Sequence, residues 1–146
     1  MCARVGDIMT TDVVAVERTT TLESVARQML GREIGSVVVT SEQTPYGIVT
    51  ESDVVSAVYH SGRPIDEIPT GRVASHPLVT IEPGQSTRLA VKRLQDERIK
   101  KLVVVDDLEV KGIITTQDLI DHYGNLTAEL KSIREQRQRE PSWPRR

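Results

Sequence analysis

Apolar residues return along this chain in two alternating periods. Residues 13–16, 36–40 and 47–50 form short runs rich in Val, Ile and Thr, which read as extended strands. Between the first two, Leu22, Val25, Ala26 and Met29 keep the 3–4 spacing of a helix with one apolar face. Residues 19–21, all Thr, precede it and supply an N-cap. After the third strand the pattern turns helical again over 52–59. The succession then repeats, with a strand at 78–81, a turn and cap at 83–86, and a helix carrying Leu89, Ala90, Val91 and Leu94. Strands follow at 102–105 and 112–115, and a last helix at 117–123. Polar turns at 41–45 and 106–107 separate the paired strands.

Sliding the chain by 65 positions lays residues 5–60 on 70–125 without a gap. Ten of the 56 pairs are identical, and their placement carries the argument: Val14 on Val79, Glu17 on Glu82, Ile34 on Ile99, and Val38-Val39 on Val103-Val104. Gly47, Ile48, Thr50 and Asp53 then fall together on Gly112, Ile113, Thr115 and Asp118. The chain is therefore an internal duplication of a β-α-β-β-α unit. Its fold class is α/β (α+β): two small mixed sheets packed on helices and related by pseudo-two-fold symmetry. Residues 61–69, with Gly62, Pro64 and Pro69, read as a linker too short to hold the halves apart. Residues 126–146 read as a helical segment after Gly124, carrying Lys131, Arg134, Arg137 and Arg139. It ends in a Pro-rich tail at 141–146 expected to be disordered.

Composition narrows the function classes. The chain has 146 residues, no Phe, one Trp and three Tyr, so Val, Ile and Leu must build the core. A formal charge of −2 gives no global pull toward nucleic acid or membrane, and no apolar run suits a signal peptide or a membrane span. Cys2, the single cysteine, forms no internal disulfide and reads as a frayed terminal residue; a soluble cytoplasmic protein is expected. His60, His76 and His122 share no metal-ligand spacing, and no P-loop, nucleophile elbow or H-E-x-x-H is present. The expectation is a protein that is not an enzyme and requires no cofactor.

The strongest chemical signal is Gly47-Ile48-Val49-Thr50-Glu51-Ser52-Asp53 and its echo Gly112-Ile113-Ile114-Thr115-Thr116-Gln117-Asp118, each where a strand meets a helix. Two readings fit. Thr-x-x-Asp ahead of an apolar helix is a capping pattern, which needs no ligand. The same helix N-terminus attracts phosphate, with a hydroxyl that donates to it and a carboxylate one turn on that accepts from ribose hydroxyls.

The repeated β-α-β-β-α plan with both Gly-h-h-Thr-x-x-Asp endings (h, apolar) resembles a tandem pair of CBS domains over about residues 5–125. The resemblance implies a regulatory module that binds adenosine-type nucleotides (AMP, ADP, ATP or S-adenosylmethionine) in the cleft between repeats. It places phosphate near Thr50 and Thr115, and ribose on Asp53 and Asp118. It further implies that each adenine slot is completed by the opposite repeat, so that Val14 and Met9 face Asp118 while Val79 and Ala74 face Asp53. The start of the second strand commonly lies near phosphate. There the second copy has Lys100-Lys101 and the first Gly35-Ser36, so the expected sites are unequal, the one at Asp118 being flanked by the lysines. Such pairs also occur inside enzymes, inosine monophosphate dehydrogenase among them, but its catalytic barrel is absent from this sequence. The resemblance also implies a homodimer, formed through second helices carrying Val54, Val55, Val58, Leu119 and Ile120, and a regulated partner of unknown identity. A dimerisation scaffold without ligand is the main alternative. Contact of the basic segment with nucleic acid is another.

Overall fold

The computed structural model describes residues 3–139. Cys2 and the 141–146 tail lie outside the described residues. In chain order the elements are α1 (Val5–Ile8), β1 (Ala15–Glu17), α2 (Leu22–Arg32), β2 (Ser36–Ser41), β3 (Thr44–Thr50), α3 (Glu51–Ser61), β4 (Thr80–Ile81), α4 (Thr87–Glu97), β5 (Lys101–Asp106), β6 (Glu109–Thr115) and α5 (Thr116–Arg139). Single 3-10 turns lie at Ile65–Glu67 and Thr70–Arg72. Each repeat builds a three-stranded sheet in sequence order, its first strand parallel to the second and the second antiparallel to the third.

The alternation along the central strands explains how the layers stack. In β2, Val37 and Val39 pack among Leu22, Val25 and Met29 of α2, while Val38 points the other way. In β5, Leu102 and Val104 join Ala90 and Leu94 of α4, and Val103 meets Val38 and Ile113 in a third cluster. Each sheet thus turns one face to its helices and the other toward the second sheet, as a period of two dictates. Helix starts are fixed by hydroxyls: Ser24 N donates to Thr21 Oγ1 at 3.3 Å and Leu89 N to Ser86 Oγ at 3.2 Å. Both first helices end on a left-handed residue, Glu33 and Arg98, each at φ 55°.

The β2–β3 and β5–β6 hairpins have two-residue turns, Glu42-Gln43 and Asp107-Leu108, and all four residues adopt positive φ. None is Gly, so each turn costs conformational energy. In the first repeat Glu17 offsets this: its carboxylate accepts from Gln43 N (2.8 Å), Thr40 Oγ1 (2.8 Å) and Glu42 N (3.0 Å). Those bonds, with Gln43 first and Thr40 next, hold the Glu17 carboxyl below its ordinary pKa.

The repeats are interlaced rather than merely adjacent. Thr10, ahead of the first sheet, pairs with Ile113 in β6; Ser75, ahead of the second, pairs with Ile48 in β3. Each opening segment therefore crosses onto the other repeat's third strand. The motif glycines permit this. A Cβ on Gly47 would lie 2.6 Å from the Ser75 carbonyl oxygen, and one on Gly112 2.6 Å from that of Thr10.

Two expectations are revised. The opening strands are shorter than 13–16 and 78–81 predict, because the ladder with β2 and β5 begins only at Ala15 and Thr80. Val14 and Val79 contribute single carbonyl bonds, from Val38 N and Val103 N. The final helix does not break near Gly124 but runs continuously from Thr116 to Arg139. The roughly 1 kcal/mol that Gly costs a helix relative to Ala is too little to interrupt a segment whose flanks favour helix. Within residues 61–69, Ile68 is buried and its carbonyl accepts from Leu22 N at 2.8 Å.

The interlacing predicts that Gly47→Ala and Gly112→Ala each destabilise the fold by about 1–3 kcal/mol through overpacking against backbone. Gly31→Ala, at a helical position where a Cβ meets nothing within 4 Å, should instead stabilise by up to about 1 kcal/mol. Urea denaturation of the three variants measures both signs.

Candidate functional site

Both Gly-h-h-Thr-x-x-Asp endings sit where β3 enters α3 and β6 enters α5, and both close as capping boxes. Thr50 N donates to Asp53 Oδ2 at 2.8 Å, Asp53 N approaches Thr50 Oγ1 at 3.4 Å, and the Thr50 hydroxyl donates to the same carboxylate at 2.9 Å. In the second copy Thr115 N donates to Asp118 Oδ2 and Asp118 N to Thr115 Oγ1, both at 3.0 Å. Capping is therefore a fact of the geometry, and any ligand chemistry is additional to it.

What goes beyond capping is the surface around the first box. A cleft of about 550 Å³ is lined by Ile48, Thr50 and Asp53 from the first repeat and by Ser75, Leu78, Val79, Arg98, Lys100 and Lys101 from the second. It exists because Ser75 is paired onto β3: that pairing brings the stretch leading into β4 alongside the start of α3. Its lining combines apolar Ile48, Leu78 and Val79 with three cationic groups, the carboxylates of Glu51 and Asp53, and the first residues of α3. Lys101 is half-buried. Burial pushes its ammonium below the ordinary lysine pKa, and the carboxylates of Glu51 and Asp118 partly oppose this. A second cavity of about 460 Å³ adjoins, lined by His60, Arg63, Arg72 and Val73, and Asp53 belongs to both.

The residues singled out from the sequence are distributed as follows. Thr50, Asp53, Val79, Lys100 and Lys101 come together in the one cleft. Lys100 and Lys101 therefore flank Asp53, not only the Asp118 site to which the sequence assigned them; Lys101 also feels the charge of Asp118. The cause is the facing of the two sheets, which sets the start of β5 opposite the start of α3. Ala74 is buried beneath Gly47, with its Cβ 3.1 Å from where a Cβ on that glycine would stand. Met9 packs in the same way at Gly112, its Sδ 2.9 Å from the corresponding point. Val14 is buried in the first core cluster. Ala74 and Met9 thus support the interlacing, and Thr115 with Asp118 forms the second box.

Sequence reasoning missed Ile48, Ser75, Leu78 and Arg98 as cleft residues. Arg98 is the left-handed residue just after α4, a position that reads as a helix stop; the run Arg98-Ile99-Lys100-Lys101 was the available signal. His76 stacks on Tyr46 (centroids 4.7 Å apart, 27° between planes), and Arg18 lies 5.4 Å from the same ring. Both aromatic rings line a separate cavity.

The CBS domain profile matches residues 5–60 and again 70–125. The chain belongs to the CBS domain family. It carries the domain twice, as the duplication requires. An uncharacterized protein of Methanopyrus kandleri is 35% identical to this CBS pair over 138 residues, covering 90% of this chain and 70% of the relative. A homoserine O-acetyltransferase of Methanocorpusculum labreanum is 33% identical over 117 residues. This chain, however, spans only 23% of that enzyme's length, so the likeness concerns a minor part of it. Among solved structures, a putative acetoin utilization protein from Vibrio cholerae superposes with a TM-score of 0.79 at 25% identity, covering 90% of this chain and 98% of that one. The CBS pair of protein MJ0100, solved with 5′-methylthioadenosine and S-adenosyl-L-methionine, superposes with a TM-score of 0.76 at 17% identity, covering 86% and 98%. No helix among the described residues is long and apolar enough to cross a membrane.

Two substitutions should separate the structural from the chemical part of this site. Asp53→Ala removes one half of a capping box and should cost about 0.5–2 kcal/mol. Lys101→Met should raise the melting temperature at neutral pH. The folded-state pKa of Lys101 is depressed, so folding is penalised while the ammonium is charged, and the penalty fades as pH rises through that pKa. The gain should therefore shrink toward alkaline pH, which thermal melts across pH will reveal.

Proposed function

We propose that this CBS pair binds an adenosine-type nucleotide as a regulatory signal and performs no chemistry on it. The observation that supports the reading is a cleft joining the Asp53 carboxylate and Ile48 of the first repeat to Leu78, Val79, Arg98, Lys100 and Lys101 of the second. In it, Asp53 accepts from the ribose hydroxyls, exchanging part of its capping bonding for the ligand. The base lies against Ile48, Leu78 and Val79. Phosphate oxygens take the α3 N-terminus, the Thr50 hydroxyl and the charges of Arg98, Lys100 and Lys101. A phosphate there adds to Glu51 and Asp118 as a counter-charge for half-buried Lys101.

The second box makes a weaker counterpart, with Thr115 and Asp118 in the same roles and Val14 and Met9 on the opposite segment. At the 65-residue offset Arg98, Lys100 and Lys101 correspond to Glu33, Gly35 and Ser36, so this side offers phosphate no cationic wall. It suits an adenosyl group with little negative charge, such as the ligands of the MJ0100 pair. The protein acts as a homodimer in the cytoplasm, with exposed Val55, Val58 and Tyr59 of α3 and Ile120 of α5 as the contact face, and transmits occupancy to a partner protein.

Because the ligand touches both repeats, it stabilises the fold. At a hundredfold excess over Kd the gain is about 2.7 kcal/mol. Melting curves with AMP, ATP and S-adenosylmethionine should show an upward shift for at least one of them. Asp53→Ala and Lys101→Met should lose the ATP shift, whatever they do to the protein alone. Absence of any shift for wild type at millimolar nucleotide would sink the sensor reading and leave a dimerisation scaffold.

A further inference from the structure

The last helix does two different jobs along its length. Its first turns belong to the second repeat: Leu119 is buried in that core, and the hydroxyls of Tyr123 and Thr87 lie 2.6 Å apart. The helix nevertheless continues to Arg139, 24 residues in all, or about 36 Å at the α-helical rise. Leu130 and Ile133, well past the last core residue, are 59% and 56% exposed.

The spacing of the apolar residues is regular across both parts. Leu119, Tyr123, Leu126, Leu130 and Ile133 follow steps of 4, 3, 4 and 3, the interval of a coiled-coil seam. With Tyr123 and Leu130 at a, and Leu119, Leu126 and Ile133 at d, the outer positions b, c and f beyond Tyr123 hold Gly124, Asn125, Ala128, Lys131, Ser132, Glu135, Gln138 and Arg139. None of these is a large apolar residue. A seam that starts on the protein's own core and continues past it needs a second helix to cover it.

We propose that the extension of α5 forms a parallel, in-register two-stranded coiled coil with the same segment of a second copy. Charge selects both partner and direction. Glu129 occupies a g position and Arg134 the following e position, five residues on, so a parallel pair sets Glu129 of each copy beside Arg134 of the other. In an antiparallel pair g meets g and e meets e, and this attraction is lost. Three seam positions past the core are too few to hold two chains alone. The device therefore rests on the two-copy reading above: it extends an interface of globular bodies and fixes which way round they associate.

Disulfide trapping in the full chain tests this, with Cys2→Ser as background. Residues at d in a parallel in-register pair face their own counterparts across the axis, within the Cα separation a disulfide tolerates. Ile133→Cys should therefore oxidise to a covalent dimer in high yield, while Ser132→Cys, one position away at c, should not. In the unoxidised protein Leu130→Glu should raise the dimer dissociation constant at least tenfold by sedimentation equilibrium, with the melting transition of the globular part unchanged. A dimer that crosslinks at neither position, or equally at both, overturns the coiled coil while leaving the dimer standing. A wild type that sediments as a monomer at high micromolar concentration overturns the two-copy reading and this one with it. Salt-dependent DNA binding lost on deleting residues 126–146, with dimer affinity untouched by Leu130→Glu, would assign the segment to nucleic acid and refute the proposal.

Discussion

Two short backbone pairings, Thr10 with Ile113 and Ser75 with Ile48, determine almost everything else in this molecule. Each carries the opening segment of one repeat onto the third strand of the other, so each three-stranded sheet is flanked by a bridge from the opposite repeat. The pairings demand that the strand they join lack a side chain at one position, and Gly47 and Gly112 meet that demand. They also set Ala74 into the first core and Met9 against the second. Removing the interlacing would leave two open-faced sheets, with Val38, Val103 and Ile113 exposed.

The cleft is a by-product of the same crossing. With Ser75 fixed to β3, the following residues must pass the start of α3, bringing Leu78 and Val79 opposite Thr50 and Asp53. The facing sheets then supply Arg98, Lys100 and Lys101 from the far repeat. A stable fold does not call for cations to gather there, and burying part of Lys101 works against its charge. The capping boxes are consistent with both roles, since a carboxylate already bonded to backbone is held in place for a ribose.

Much of this was legible in the sequence, for identifiable reasons. Helix and strand identities followed from apolar periodicity, because the core of Val, Ile and Leu leaves little ambiguity between spacing of two and of three to four. The duplication exposed the motif, since chance does not preserve Gly, Thr and Asp at matched positions in both copies. The interlacing was legible only through the family resemblance, which set Met9 opposite Asp118 and Ala74 opposite Asp53: a pairing between residue 10 and residue 113 has no local signature, and a motif glycine reads as a turn rather than a close approach. That the lysines also line the cleft at Asp53 was hidden for the same reason, as position along the chain does not say which repeat's helix a strand will face. The unbroken α5 was obscured by Gly124, whose cost is small beside the preference of its neighbours.

The central claim, that one nucleotide is held jointly by the two repeats at Asp53, is most directly tested by amide chemical-shift mapping during titration of the isotopically labelled protein with ATP. Residues 50–53 of the first repeat should move together with residues 75–79 and 98–101 of the second, all following one binding isotherm. In Asp53→Ala this joint response should vanish while the remaining spectrum stays folded. Shifts confined to one repeat, or spread over the surface without saturation, would contradict a shared site.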